Sequence, residues 1–140
     1  MEIRVFHKLP LEAVNIRMNI FVKEQGFSET LEIDENEERA THIVGFIDGK
    51  PAATSRFFYD ERRGAYLISR IAVLKEHRGK GLGALIVKAA EEQIRAQNGK
   101  TTVIHAQLRV KGFYESIGYT AYGDVDLEEG VEHIMMRKDL

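Results

Sequence analysis

The sequence predicts a single mixed α/β (α+β) domain over residues 1–140, built on a mostly antiparallel central sheet. One parallel β-α-β crossover and helices on both faces complete the expected architecture. Three observations carry this reading. Three β-rich runs, THIVGFIDG, PAATSRFFYD and AYLISRIAV, follow one another directly and favour an antiparallel meander. The first two meet at Asp48-Gly49, a dipeptide suited to a two-residue hairpin turn. The third is followed by a helical pattern and then by TTVIHAQ, a strand-helix-strand order that produces a parallel pair.

Taken in order, EIRVFH alternates polar and apolar residues and reads as a first short strand. Pro10 suits a helix start, and Leu11, Val14, Met18 and Phe21 continue at helical spacing to about Gln25, with Gly26 as a C-cap. Residues 28–39, SETLEIDENEER, are acidic and aperiodic, giving a loop or a short irregular helix. After the hairpin and a charged turn at Asp60–Gly64 comes AYLISRIAV. Residues 81–97 are expected to be helical, with Leu82, Leu85, Ile86, Ala89 and Ala90 inward and Asn98-Gly99 as the stop. TTVIHAQ is a strand and residues 109–117 a short helix. Tyr119–Tyr122 and Val131–Arg137 form the last strands, around a loop Gly123–Gly130. Phe57, Phe58 and Tyr59 are read either as a strand face for a homodimer or as ordinary core with one exposed aromatic.

Composition excludes several function classes. An apolar share of 44% with 30% charged residues is globular rather than disordered. Twenty basic against 22 acidic residues, a net charge of −2, give no general attraction to nucleic acid or anionic membrane. The absence of cysteine excludes disulfides, thiolate metal sites and cysteine nucleophiles. No apolar run is long enough to span a bilayer, and MEIRVFHKLP lacks a signal-peptide core, so a cytoplasmic protein is expected.

The most informative stretch is Arg78-Gly79-Lys80-Gly81-Leu82-Gly83, between a strand and a helix. Glycines at alternate positions let backbone approach a ligand closely, and a helix start offers free N–H groups and a favourable dipole to an anion. Arg78, Lys80 and Lys75 add positive charge, so a phosphate-bearing ligand fits better than a merely flexible turn. A P-loop is not supplied. Gly79, Gly81 and Ala84 formally fit a dinucleotide fingerprint, but Leu74–His77 separate the strand from the first glycine. Ala106 and Gln107 stand where that fingerprint needs an acid.

Arg78-x-x-Gly81-x-Gly83, after a strand ending IAV, resembles the acyl-CoA-binding motif of the GNAT superfamily of N-acetyltransferases. Phe113-Tyr114-Glu115-Ser116-Ile117-Gly118-Tyr119 resembles the second half of the family pattern; the two motifs together are far more specific than either alone, and the resemblance covers essentially the whole chain. Within the family the sequence is similar to small bacterial ElaA-like and YjcF-like members. The segments alike are Phe21–Gln25, Glu32–Glu35, Ala40–His42, His105–Gln107 and Glu129–Ile134. Gln107 stands where many members have Asn, as it does in the ElaA-like group.

The resemblance implies acetyl-CoA as acyl donor, with the pantetheine arm along Ile71, Ala72 and Val73 and the pyrophosphate on the amides of Gly79–Gly83. Arg78, Lys80, Leu82 and Gln107 join that cofactor set. The acceptor implied is a primary amine of a small molecule or peptide, acetylated directly and without a covalent enzyme intermediate. Tyr114 is the candidate general acid; its phenol, near pKa 10 when unperturbed, holds a proton at neutral pH. Candidates for the base are Glu24, Glu35, His42 and His133, each histidine being equally open to a structural role. His42 and His133 lie on predicted strands and could meet across the sheet. No metal is expected, although His42, His133 and Asp34 or Glu35 are suitable ligand types. The acidic run Glu29–Glu38 is either a solvated loop or an attractor for a cationic amine. Arg56 and Arg70 either pair with it or bind an acidic group on the acceptor. The alternative function is a non-catalytic acyl-CoA-binding regulatory module; a dinucleotide oxidoreductase is a more distant one.

Overall fold

The computed structural model describes residues 1–140, the side chains of Thr30 and Leu31 excepted. Seven strands form one sheet: β1 (Glu2–Phe6), β2 (Thr41–Ile47), β3 (Lys50–Asp60), β4 (Ala65–Val73), β5 (Thr101–Gln107), β6 (Thr120–Glu128) and β7 (Val131–Asp139). Their order across it is β1-β2-β3-β4-β5-β7-β6, and β4–β5 is its parallel pair. The turn joining β2 to β3 has positive φ at both Asp48 and Gly49, which matches the twist of the flanking strands.

Helices cover both faces, as the sequence predicts. On one face α3 (Leu82–Ala96) lays Ile86, Val87, Ala90 and Ile94 against Ile43, Phe57, Ile68, Ile104 and Met136. On the other, α1 (Leu11–Arg17) buries Ala13 and Ile16 against Val44, Phe46 and Ala72. Neighbours on one strand, such as Ile43 and Val44, serve opposite cores because successive side chains point to opposite faces. Within α3, Leu85 departs from expectation. It is 46% exposed, and Val87, Glu91 and Ile94 take the buried positions instead. Phe57 and Phe58 are both core, leaving Tyr59 as the exposed aromatic beside Tyr66, so no continuous aromatic face is formed.

Three further features position the site. α1 continues into a π-helical segment, Met18–Glu24, where Gln25 N–H reaches back to the Ile20 carbonyl. π-turns widen a helix and often mark functional sites. Second, the acidic run forms α2 (Glu29–Glu32) and a 3-10 turn (Glu35–Glu37), whose cap is Asp34. It is not solvated throughout. Glu32 and Glu37 are buried on Arg17, itself 1% exposed, and Asp34 holds Arg56 through two hydrogen bonds of 2.7 and 2.9 Å. Arg70 completes the network on Asp34 and the Glu32 carbonyl. Third, β6 runs to Glu128 and turns tightly at Glu129-Gly130, so most of the expected loop is strand. The last helix, α4, spans Lys111–Ser116 after a 3-10 turn at Leu108–Val110.

Candidate active site

A bulge and a fork shape the site. Opposite Ser55, β4 carries an extra residue: the register passes from Thr54↔Ala72 to Arg56↔Ser69, and Arg70 has positive φ. The bulge bends β4 away from β5. Pairing between the two is confined to Tyr66↔Thr102 and Leu67↔Val103, and beyond these they diverge. Leu74 N–H bonds the Ala52 carbonyl of β3, so by strand alternation the Val73 amide points the other way, into the fork.

The cavity that fills the fork has a volume of about 930 Å³ and runs from the glycine turn to the β6–β7 hairpin. At its glycine end, Gly79 and Gly81 have φ of +80° and +77°. Gly81 is the N-cap of α3, and helical bonding begins with Leu85 N–H on the Gly81 carbonyl. The amides of Leu82, Gly83 and Ala84 therefore have no partner within the helix, and no side chain caps them. Space around Gly79 and Gly81 is open. A Cβ on Gly83 would lie 3.1 Å from the Phe113 ring, so that glycine has a packing reason as well. Arg78 donates to the Val73 carbonyl and makes a bidentate pair with Glu24 at 2.7 and 2.9 Å. Lys80 is exposed and outside the cavity lining.

Tyr114, on α4, lies at the fork and is 7% exposed. Burial pushes its phenol well above the usual range. Among the described residues its hydroxyl has no hydrogen-bond partner. Gln107, at the end of β5, donates to the Gln25 side chain and accepts from Arg109. Ile71, Ala72 and Val73 line the opposite wall.

The expected bases separate. His133 lines the cavity; its Nδ1–H donates to the Val131 carbonyl at 2.7 Å, leaving the Nε2 lone pair directed to the side where Glu128 stands 3.4 Å away. His42 does not meet it, because β3, β4 and β5 intervene. It is buried, with Nε2–H on the Glu37 carbonyl, and burial lowers its pKa. Glu35 is exposed and outside the cavity lining. Glu24 lines the cavity beside the glycine turn, paired with Arg78, and those hydrogen bonds lower its pKa, which weakens it as a base. The metal grouping of His42, His133 and Asp34 or Glu35 is likewise not formed. Arg56 and Arg70 pair with the acidic run, one of the two readings open to their sequence, and both also line the cavity.

Sequence reasoning missed His105, Asp126 and Glu128. His105 stacks on His133 with ring centroids 4.6 Å apart and bonds Asp126 at 2.8 Å. The signal available was alternation, which puts His105 on the strand face shared by Gln107.

A parallel pair parted over an uncapped, glycine-built helix start, with a buried tyrosine at the fork, defines an acyltransferase of the GNAT type. The chain belongs to that family: the acetyltransferase (GNAT) domain matches residues 12–140, and the protein is an N-acetyltransferase by membership. Bacillus subtilis YjcF, an uncharacterized N-acetyltransferase, is 34% identical over 129 residues, covering 91% of each chain. The crystal structure of a candidate N-acetyltransferase from Lactobacillus plantarum superposes with TM-score 0.90 at 26% identity, covering 99% of this chain and 97% of that one. Escherichia coli ElaA has the same fold, with TM-score 0.86 at 24% identity over 98% of both chains. No described helix is long and apolar enough to cross a membrane.

Proposed function

We propose that the protein transfers the acetyl group of acetyl-CoA directly to a primary amine of a small molecule or peptide. The observation that carries this is the fork itself: Val73 with its inward amide, the helix start at Gly81–Gly83 with its uncapped amides, and the phenol of Tyr114 line one cavity. In this reading the pantetheine arm adds to β4 as a strand would, and the pyrophosphate sits on the glycine turn. The Val73 amide polarises the thioester carbonyl and stabilises the oxyanion that forms on it.

The amine nitrogen attacks the carbonyl carbon. Its proton passes to His133 Nε2, directly or through a water, because Nδ1 already carries the proton shared with Val131. The C–S bond then breaks, the electron pair leaves on sulfur, and Tyr114 protonates the thiolate. Solvent takes the proton from His133 and returns one to Tyr114, and no covalent enzyme intermediate is needed. Glu128 and Glu129, on the same cavity, favour a cationic amine as acceptor. A regulatory module without catalysis has no use for an unbonded phenol at the fork.

Thiol release from acetyl-CoA with a panel of primary amines tests the reading. Amine-dependent turnover that collapses in His133→Gln, with CoA affinity retained, supports it. CoA binding without turnover on any amine would turn the reading toward the regulatory module.

A further inference from the structure

His105, Glu128 and His133 come from three neighbouring strands and share one face, because Gln107 pairs with His133 and His133 with Asp126. One ligand-type atom from each lies within 4.8 Å of the other two, and all three residues line the cavity. Each ring has one nitrogen committed: His133 Nδ1–H to the Val131 carbonyl, and His105 Nε2–H to the Asp126 carboxylate. Such outer contacts fix imidazole orientation and tautomer in metal sites. Here they leave each ring a nitrogen with a lone pair.

We propose that this corner of the cleft binds one divalent transition-metal ion of the zinc class. Two imidazoles with a carboxylate suit zinc, cobalt or nickel better than magnesium or calcium. The Glu128 carboxylate would bind the dication directly and Asp126 would offset its charge through His105, with water completing the coordination. Ligand atoms around a tetrahedral ion sit roughly 3.4 Å apart, given bonds of about 2.0–2.1 Å. The approach required is a small rotamer change, and Glu128, whose side chain is 55% exposed, is free to make it. The expectation from sequence placed no metal here because His105 and Glu128 become neighbours of His133 only through strand pairing. Bound metal would also take the Nε2 lone pair assigned to His133 in acetyl transfer. That consequence rests on the catalytic reading, whereas the site does not.

The test is binding of the metal alone to the metal-free full chain. Calorimetry with Zn²⁺ should give one equivalent bound. Co²⁺ should show the visible absorption of a four- or five-coordinate ion. His105→Ala and His133→Ala should each weaken binding at least tenfold. Glu128→Gln, an exposed change that spares the fold, should weaken Co²⁺ binding and alter its spectrum. No stoichiometric binding by the unaltered chain would overturn the proposal, as would a Co²⁺ spectrum unchanged in Glu128→Gln or binding retained in folded His105→Ala/His133→Ala. Because these readouts need no amine or acetyl-CoA, a wrong assignment of the base would not imitate their failure.

Discussion

Replacing Tyr114 with Phe isolates the proton that the leaving thiolate is proposed to receive. The ring packs edge-on against Phe113 and Tyr119, and Phe keeps those contacts. With no hydrogen bond to the hydroxyl, the variant forgoes the usual loss of about 0.5–1.5 kcal/mol for a broken bond. Its melting temperature should therefore stay within a few degrees of the unaltered protein. CoA affinity should be unchanged. A positioned general acid contributes about 10²–10⁴-fold, and a thiolate leaves readily, so a fall of roughly a hundredfold in kcat is expected. That corresponds to about 2.7 kcal/mol of barrier. Burial raises the Tyr114 phenol, so it stays protonated through alkaline pH, and kcat of the unaltered enzyme should show no fall on titration of an ordinary phenol. The assay is single-turnover acetyl transfer at saturating amine, which separates chemistry from product release. Unchanged single-turnover rates in a folded Tyr114→Phe would refute the assignment and leave solvent as the donor.

Gly81→Asp should weaken CoA binding at least tenfold by calorimetry, since a carboxylate there repels phosphate. Gly81→Ala, which shares the strain at φ +77° but has open space around its Cβ, should retain more of the affinity. Glu24→Gln should tighten CoA binding several-fold by releasing Arg78 from its carboxylate, and a weaker complex would show that the pair positions Arg78 instead. Arg17→Met strands two buried carboxylates and should cost about 3–5 kcal/mol, or roughly 10–15 °C in Tm by calorimetric scanning. Burial would raise the Asp34 carboxyl, but hydrogen bonds and charge from Arg56, with lesser help from Asn36 N–H and Arg70, lower it to about 2. Its folded pKa lies below its unfolded one, so its contribution is present above pH 4 and is lost between pH 4 and 2. The loss should be about 2 kcal/mol in denaturant titrations and should be absent from Asp34→Asn.

Local signals made much of the fold legible. Asp48-Gly49 marked its hairpin, and the spacing of α3 with its glycine start and Asn98-Gly99 stop marked both the helix and the glycine end of the cleft. What stayed hidden depended on partners distant in sequence. The acidic run looked solvated because Arg17, Arg56 and Arg70, which turn three of its carboxylates inward, lie on other elements. The π-helical segment was concealed because its apolar residues still fall at helix-like spacing. β6 was underestimated because it is exposed almost throughout and shows no alternation. The cavity wall at the β6–β7 hairpin followed from the β5-β7-β6 order, which no single segment encodes. His133 was therefore nameable without its neighbour His105, and His42 looked like its equal until three strands were seen to stand between them.

The two-position pairing of β4 with β5 has a mechanical consequence. Four strands lie on one side of that line and three on the other, and the sheet is stitched across it by little more than one short ladder. α3 spans the seam from behind, packing on Ile43 and Phe57 of one half and on Ile104 and Met136 of the other. A donor lying in the fork would supply missing rungs and act as a structural staple between halves. The seam should breathe in the empty enzyme, with fast amide hydrogen exchange at Val73, and close when occupied. Loading the donor would then set the stiffness of the floor on which the acceptor is presented.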